Sequence, residues 1–159
     1  MSLQCRIAVR LSFELTHERK ERPIATPNVS AVQRMYEAFG RGDVPGVLEN
    51  VAEEIVWDFN GGRAEVPWHA PVKGHSELSR FFQSFGGSVE VHVFSPREFM
   101  HCGPHVLVDV HIEYTVRKTG TRVVQDQIHW WTFDDRNRAT RMRHYEDTAQ
   151  VLASVASPA

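Results

Sequence analysis

The chain has 159 residues, of which 42% are hydrophobic and 24% charged. That is enough for one domain with a real core and ordinary for a soluble globular protein. A net charge of −2 and a pI near 6.5 give no reason to expect nucleic acid or an anionic membrane as partner. Two cysteines, Cys5 and Cys102, exclude a disulfide framework. No stretch has the length of a membrane span, and the N-terminus lacks the apolar core of a signal peptide, so the expected compartment is the cytoplasm. Nine histidines make pH near 6 to 7 a variable worth following.

The first segment, CRIAVRLSFEL, alternates strictly. Cys5, Ile7, Val9, Leu11, Phe13 and Leu15 share one face, while Arg6, Arg10 and Glu14 lie on the other. This is a half-buried strand pattern. A charged linker with Pro23 and Pro27 follows. Residues 1–28 thus read as an N-terminal extension, 29–152 as the domain proper and 153–159 as a tail.

From Val29 the period changes. Val29, Val32, Tyr36 and Phe39 recur at helical spacing, and Gly40 and Gly42 stop the helix. Asp43 can cap a short second helix with Pro45 in its first turn. EIVWDF is a short strand, and NGGRAEVPWHAPVKG a long loop. Leu78, Phe81, Phe82 and Phe85 mark a third amphipathic helix, expected to end at Gly86-Gly87. Four strands follow. VEVHVFSPREFM carries Pro96, which predicts an edge strand or a bulge. HVLVDVHIEYTV, RVVQDQIHWWTF and TRMRHYED come next, with turns at GP, KTGT and DDRNR. A short helix through Val151 and Leu152 closes the chain. Helices followed by an antiparallel meander make the class α+β.

The last strand places RMRHYED so that Met142, His144 and Glu146 lie on one side and Arg141, Arg143 and Tyr145 on the other. If residues 134–139 form the hairpin loop, Phe133 faces Thr140, Trp131 faces Met142 and His129 faces His144. Opposed Cβ atoms would lie about 4.5–5.5 Å apart. A one-residue slip would separate the two histidines. The shared face is apolar with a polar end, the composition of a small-molecule cavity. Neighbouring imidazoles resist double protonation, and a neutral imidazole can donate, accept or act as a base.

The runs VQRMYEAFGRGDVPGVLENVAEEIVWDF, VPWHAPVKGHSELSRFF and QIHWWTFDD…RMRHYEDT, in this order, resemble the SnoaL-like and ketosteroid-isomerase-related branch of the nuclear transport factor 2-like superfamily. The resemblance covers about residues 29–152. It implies an α+β cone, a curved sheet of about five to six strands wrapped around three helices from the N-terminal half. It also implies a deep pocket, a homodimer paired through the convex sheet face, and no metal or organic cofactor. By resemblance to the ketosteroid isomerases, Asp58 is the expected proton-transferring carboxylate, its pKa raised beside Trp57 or Phe59. Tyr36 and His129 stand near the positions of the oxyanion-binding groups. By resemblance to SnoaL-type cyclases, His129 and His144 occupy the two proton-handling positions. In limonene-epoxide-hydrolase-like members the matching residues would be Asn60 and Asp109, but Leu107 and His144 break that set.

The expected site therefore comprises Asp58, His129 and His144 as catalytic residues, lined by Tyr36, Trp57, Asn60, Trp68, Phe82, Trp131, Phe133 and Met142. The expected ligand is a small apolar carbonyl compound, processed by isomerisation, cyclisation or a related lyase step, or simply held. His101, Cys102 and His105 cluster at a turn but lack a second ligand pair for zinc. Ile128, Trp130 and Tyr145 form an apolar patch on the opposite face, suited to dimerisation.

Overall fold

Thr26 caps the first helix. Its hydroxyl accepts the Val29 N–H at 3.2 Å, and Pro27 sits in the first turn, where a missing N–H costs nothing. In the computed structural model, which describes residues 26–156, this helix α1 spans Pro27–Gly40 and buries Val29, Val32 and Met35. The alternating strand expected at residues 5–15 lies outside the described residues. Asp43 caps α2 (Val44–Leu48) by accepting the Gly46 N–H at 3.0 Å. Any side chain at position 46 would collide with that carboxylate.

Strand β1 (Val51–Phe59) is followed, within the loop expected to be irregular, by a two-residue strand β2 (Val72–Lys73). Helix α3 spans Gly74–Ser88. Its start is fixed by Glu77, which accepts the Lys73 N–H at 2.8 Å. The expected stop at Gly86-Gly87 does not occur: the helix runs through both glycines to Ser88 and feeds directly into β3 (Val89–Cys102). Strands β4 (His105–Val116), β5 (Arg122–Phe133) and β6 (Ala139–Tyr145) complete the sheet, and α4 (Thr148–Val155) closes the domain three residues beyond the expected boundary.

The sheet order is β2-β1-β6-β5-β4-β3. All neighbours pair antiparallel except β1 and β6, which run parallel. Pro96 lies where its sequence signature places it, on the edge strand β3, with register irregularities at Val91/Val93 and Pro96/Glu98. On β4, residues 106 to 116 alternate strictly, so Val106, Val108, Val110, Ile112 and Tyr114 face the helices. Asp109, His111 and Glu113 take the other face. On β5 the same parity turns Gln125, Gln127, His129, Trp131 and Phe133 inward. A core face that is otherwise apolar thus carries three consecutive polar positions.

Candidate functional site

The β5–β6 turn sets the register. Asp134 Oδ1 accepts the backbone N–H groups of Arg136 and Arg138, each at 2.9 Å, and Asn137 takes the left-handed conformation at φ 56°. The pairings His129↔His144 and Trp131↔Met142 follow as expected. Phe133, however, pairs with Ala139 rather than Thr140, because Thr140 is the extra residue of a bulge. The two imidazole rings approach to 4.4 Å between centroids at 70°.

In front of them lies a cavity of about 60 Å³, whose wall includes Tyr36, Trp57, Phe59, Trp68, Phe82 and Trp131, with His129, His144 and Glu146 at one end. A ring of α3 aromatics, Phe81, Phe82 and Phe85, forms the helical side. Three expected lining residues are elsewhere. Phe133 and Met142 are buried in the core but outside the cavity wall. Asn60 is exposed just beyond β1, and its backbone N–H donates to the His144 carbonyl at 2.8 Å.

Asp58 is also corrected. Strand parity sends Trp57 and Phe59 inward and Asp58 outward, where Arg141 Nη2 reaches Oδ2 at 2.6 Å and Arg143 Nε reaches Oδ1 at 3.3 Å. Burial pushes the carboxyl pKa up, but hydrogen bonds from Arg141 and Arg143 and their positive charges outweigh it and hold it below the usual range. An ionised, arginine-clamped carboxylate on the wrong face is no base for this cavity.

The carboxylate inside is Glu146, at the exit of β6, with a side chain 3% exposed. His69, from the loop before β2, brings Nε2 to 2.6 Å from Glu146 Oε1 in a close, bent contact. Gln127 Nε2 donates to Glu146 Oε2 at 3.1 Å. Gln127 Oε1 lies 2.8 Å from His144 Nε2 and 3.4 Å from His129 Nε2. His129 Nδ1 lies 2.8 Å from the Tyr36 hydroxyl, which accepts from Trp131 Nε1 at 3.1 Å. Phe59 stacks on both His69 and His144, with centroids 4.7 and 4.6 Å away.

Burial depresses the basicity of His129, whose pKa falls to about 3. The His144 pKa drops well below its ordinary value, first by burial and then by the neighbouring His129 and His69. Burial raises the Tyr36 phenol far above its usual range. These three groups are therefore neutral at pH 7. His144 Nδ1 is buried and has no hydrogen-bond partner among the described residues.

Sequence reasoning missed Glu146, Gln127 and His69. The first two carried a signal, since Glu146 shares parity with His144 and Gln127 with His129. His69 sits in an irregular loop, where no period points to a face.

The match to the SnoaL-like domain family covers residues 32–142. The chain belongs to that family, and its fold is that of the nuclear transport factor 2-like proteins. It is similar to an NTF2-like protein of unknown function from Burkholderia pseudomallei K96243, with 26% identity and TM-score 0.76 over 84% of this chain and all of the other. An NTF2-like protein from Burkholderia xenovorans LB400 gives 29% identity and TM-score 0.75 over the same shares. TerC, co-crystallised with polyporic acid, gives 27% and 0.71 over 82% of this chain and 98% of its own. More distant similarities, to a polyketide cyclase-type protein from Xanthomonas campestris at 21% identity among others, show the fold alone. No curated protein matches the chain.

Proposed function

We propose that this protein binds a small, largely apolar carbonyl compound in the aromatic cavity and moves a proton on it without a cofactor. The observation that carries this reading is His144, a neutral imidazole on the cavity wall with one nitrogen unpartnered. His144 replaces Asp58 as the base. Nδ1 takes the proton from a carbon next to the carbonyl, and the C–H electron pair becomes the enolate. Returning the proton to another carbon isomerises the compound; attack of the enolate carbon on a second carbonyl of the same molecule cyclises it, the imidazolium giving its proton to the alkoxide formed. The imidazolium formed lies with Nε2 4.0 Å from Glu146 Oε2, and that negative charge offsets its burial. His129 has both ring nitrogens within reach of protein groups, so it supports His144 rather than polarising the carbonyl.

A cavity of about 60 Å³ holds about two waters. A ligand must therefore part the rings. Phe39, Phe82, Phe85 and Phe94 also line a surface groove of about 610 Å³, which makes that shared wall the natural entrance. The TerC complex supports the choice of polyporic acid as a first binding probe.

The test is α-proton exchange of cyclic enones in D2O. Exchange is expected in the wild type, lost in His144→Gln and retained in Asp58→Asn. Binding without exchange assigns a ligand carrier. The same proposal includes homodimerisation through the convex face, where Trp130 is 38% exposed and stacks on Tyr145. Light scattering of Trp130→Arg should show a monomer where the wild type shows a dimer.

A further inference from the structure

The side-chain chain from His69 to Trp131 has its proton positions dictated from both ends. The Arg63 backbone N–H can only donate, and it donates to His69 Nδ1 at 3.2 Å. With Nδ1 accepting, the hydrogen of the His69 ring lies on Nε2, which sits 2.6 Å from Glu146 Oε1 in a contact too bent to be a hydrogen bond. The other carboxylate oxygen of Glu146 accepts an amide hydrogen from Gln127 at 3.1 Å. This turns Gln127 Oε1 toward the two histidines. An amide oxygen has no hydrogen to give, so His144 Nε2 at 2.8 Å and His129 Nε2 at 3.4 Å are both donors. His129 Nδ1 is left to accept from Tyr36. The far end agrees independently: Trp131 Nε1 can only donate to the Tyr36 oxygen, leaving the phenol hydrogen free for His129.

We propose that Gln127, oriented by Glu146, is a positioning residue that holds His129 and His144 as Nε2–H tautomers and so makes His144 Nδ1 the proton-accepting atom of the site. This rests on the reading of His144 as the base. One amide oxygen serves both rings. Reversing the amide would oppose its oxygen to the Glu146 carboxylate, and its NH2 would then demand acceptor Nε2 atoms on both histidines at once.

The test is nitrogen-15 NMR of the histidine side chains in the full-length protein at neutral pH, without ligand. The wild type should show Nε2–H tautomers at both positions. In Glu146→Gln the amide loses its fixed orientation, and an Nδ1–H signal should appear at His144, whereas the phenol hydrogen of Tyr36 keeps His129 as Nε2–H. Either ring as Nδ1–H in the wild type, or no change at His144 in folded Glu146→Gln, overturns the proposal. Should Glu146→Gln fail to fold, Gln127→Leu decides: both rings should lose the hydrogen-bonded Nε2–H signal, and persistence of either overturns the proposal. In the exchange assay Gln127→Leu should lower kcat about tenfold or more with little change in KM. Correct tautomers with no wild-type exchange would sink the catalytic reading alone. Exchange with the wrong tautomers would sink this proposal alone.

Discussion

The two faces of the β1–β6–β5 sheet solve the same problem in opposite ways. Outside, Asp58, Arg141 and Arg143 pair as ions, as do Asp126 on β5 and Arg97 on β3, with His111 on β4 hydrogen-bonded to Asp126. Water screens these charges and competes for them, so each pair is worth little. Inside, on the same strands, His129 and His144 are kept neutral and bonded to one another through Gln127, and His129 is bonded to the neutral Tyr36 of α1, which accepts from Trp131. There the low surrounding polarity strengthens each bond and makes a lost partner costly, so each bond carries weight and fixes a proton. The parity of a strand, rather than the residue types, decides whether a titratable group stabilises by charge or by hydrogen bonding.

The sharpest contrast is between adjacent tryptophans. Trp131 is 1% exposed and Trp130 is 38% exposed. Trp131→Ala should cost about 3–5 kcal/mol in urea unfolding, and Trp130→Ala about 1 kcal/mol or less. Equal losses would mean the outer face is covered in solution. Acid should next distinguish the faces. His129 and His144 titrate below their ordinary value of 6.5, so the unfolded chain binds more protons than the native one as pH falls beneath that value. Stability is full above pH 6.5 and should fall by about 1.4 kcal/mol per pH unit for each histidine below it. A unfolding free energy that stays flat between pH 6.5 and 5 would place these rings in water. Glu146→Gln keeps the volume but weakens the inner chain, and thermal unfolding should report a loss of about 1–3 kcal/mol. The smallest effect belongs to Asp58→Asn outside, at about 1 kcal/mol or less by the same measurement.

Most of the architecture was legible because the periods were clean. Val29, Val32, Tyr36 and Phe39 announced α1, and the alternation in β4 separated Val108 and Val110 from Asp109. The His129–His144 pairing could be read because a turn of that length leaves few registers. The base was misread because Trp57 and Asp58 are consecutive in a strand and cannot both face the cavity. Resemblance by position outweighed that elementary rule. His69 was out of reach, since its place depends on how an irregular loop packs against Phe59. Helix α3 outlasted its two glycines because nothing around them forces the chain to turn, and a glycine permits a stop without imposing one.

The parallel seam between β1 and β6 carries a consequence for how the chain matures. It joins Asp58 to Arg143, 85 positions apart, so this contact forms only after the intervening loop entropy has been overcome. On the ribosome the N-terminal helices and β1 emerge first, α3 then reaches Trp57 and Phe59, and the β6 side of β1 stays open until that strand is released. Until then β1 lacks its parallel neighbour, and this window is when newly made copies are most apt to stick to one another.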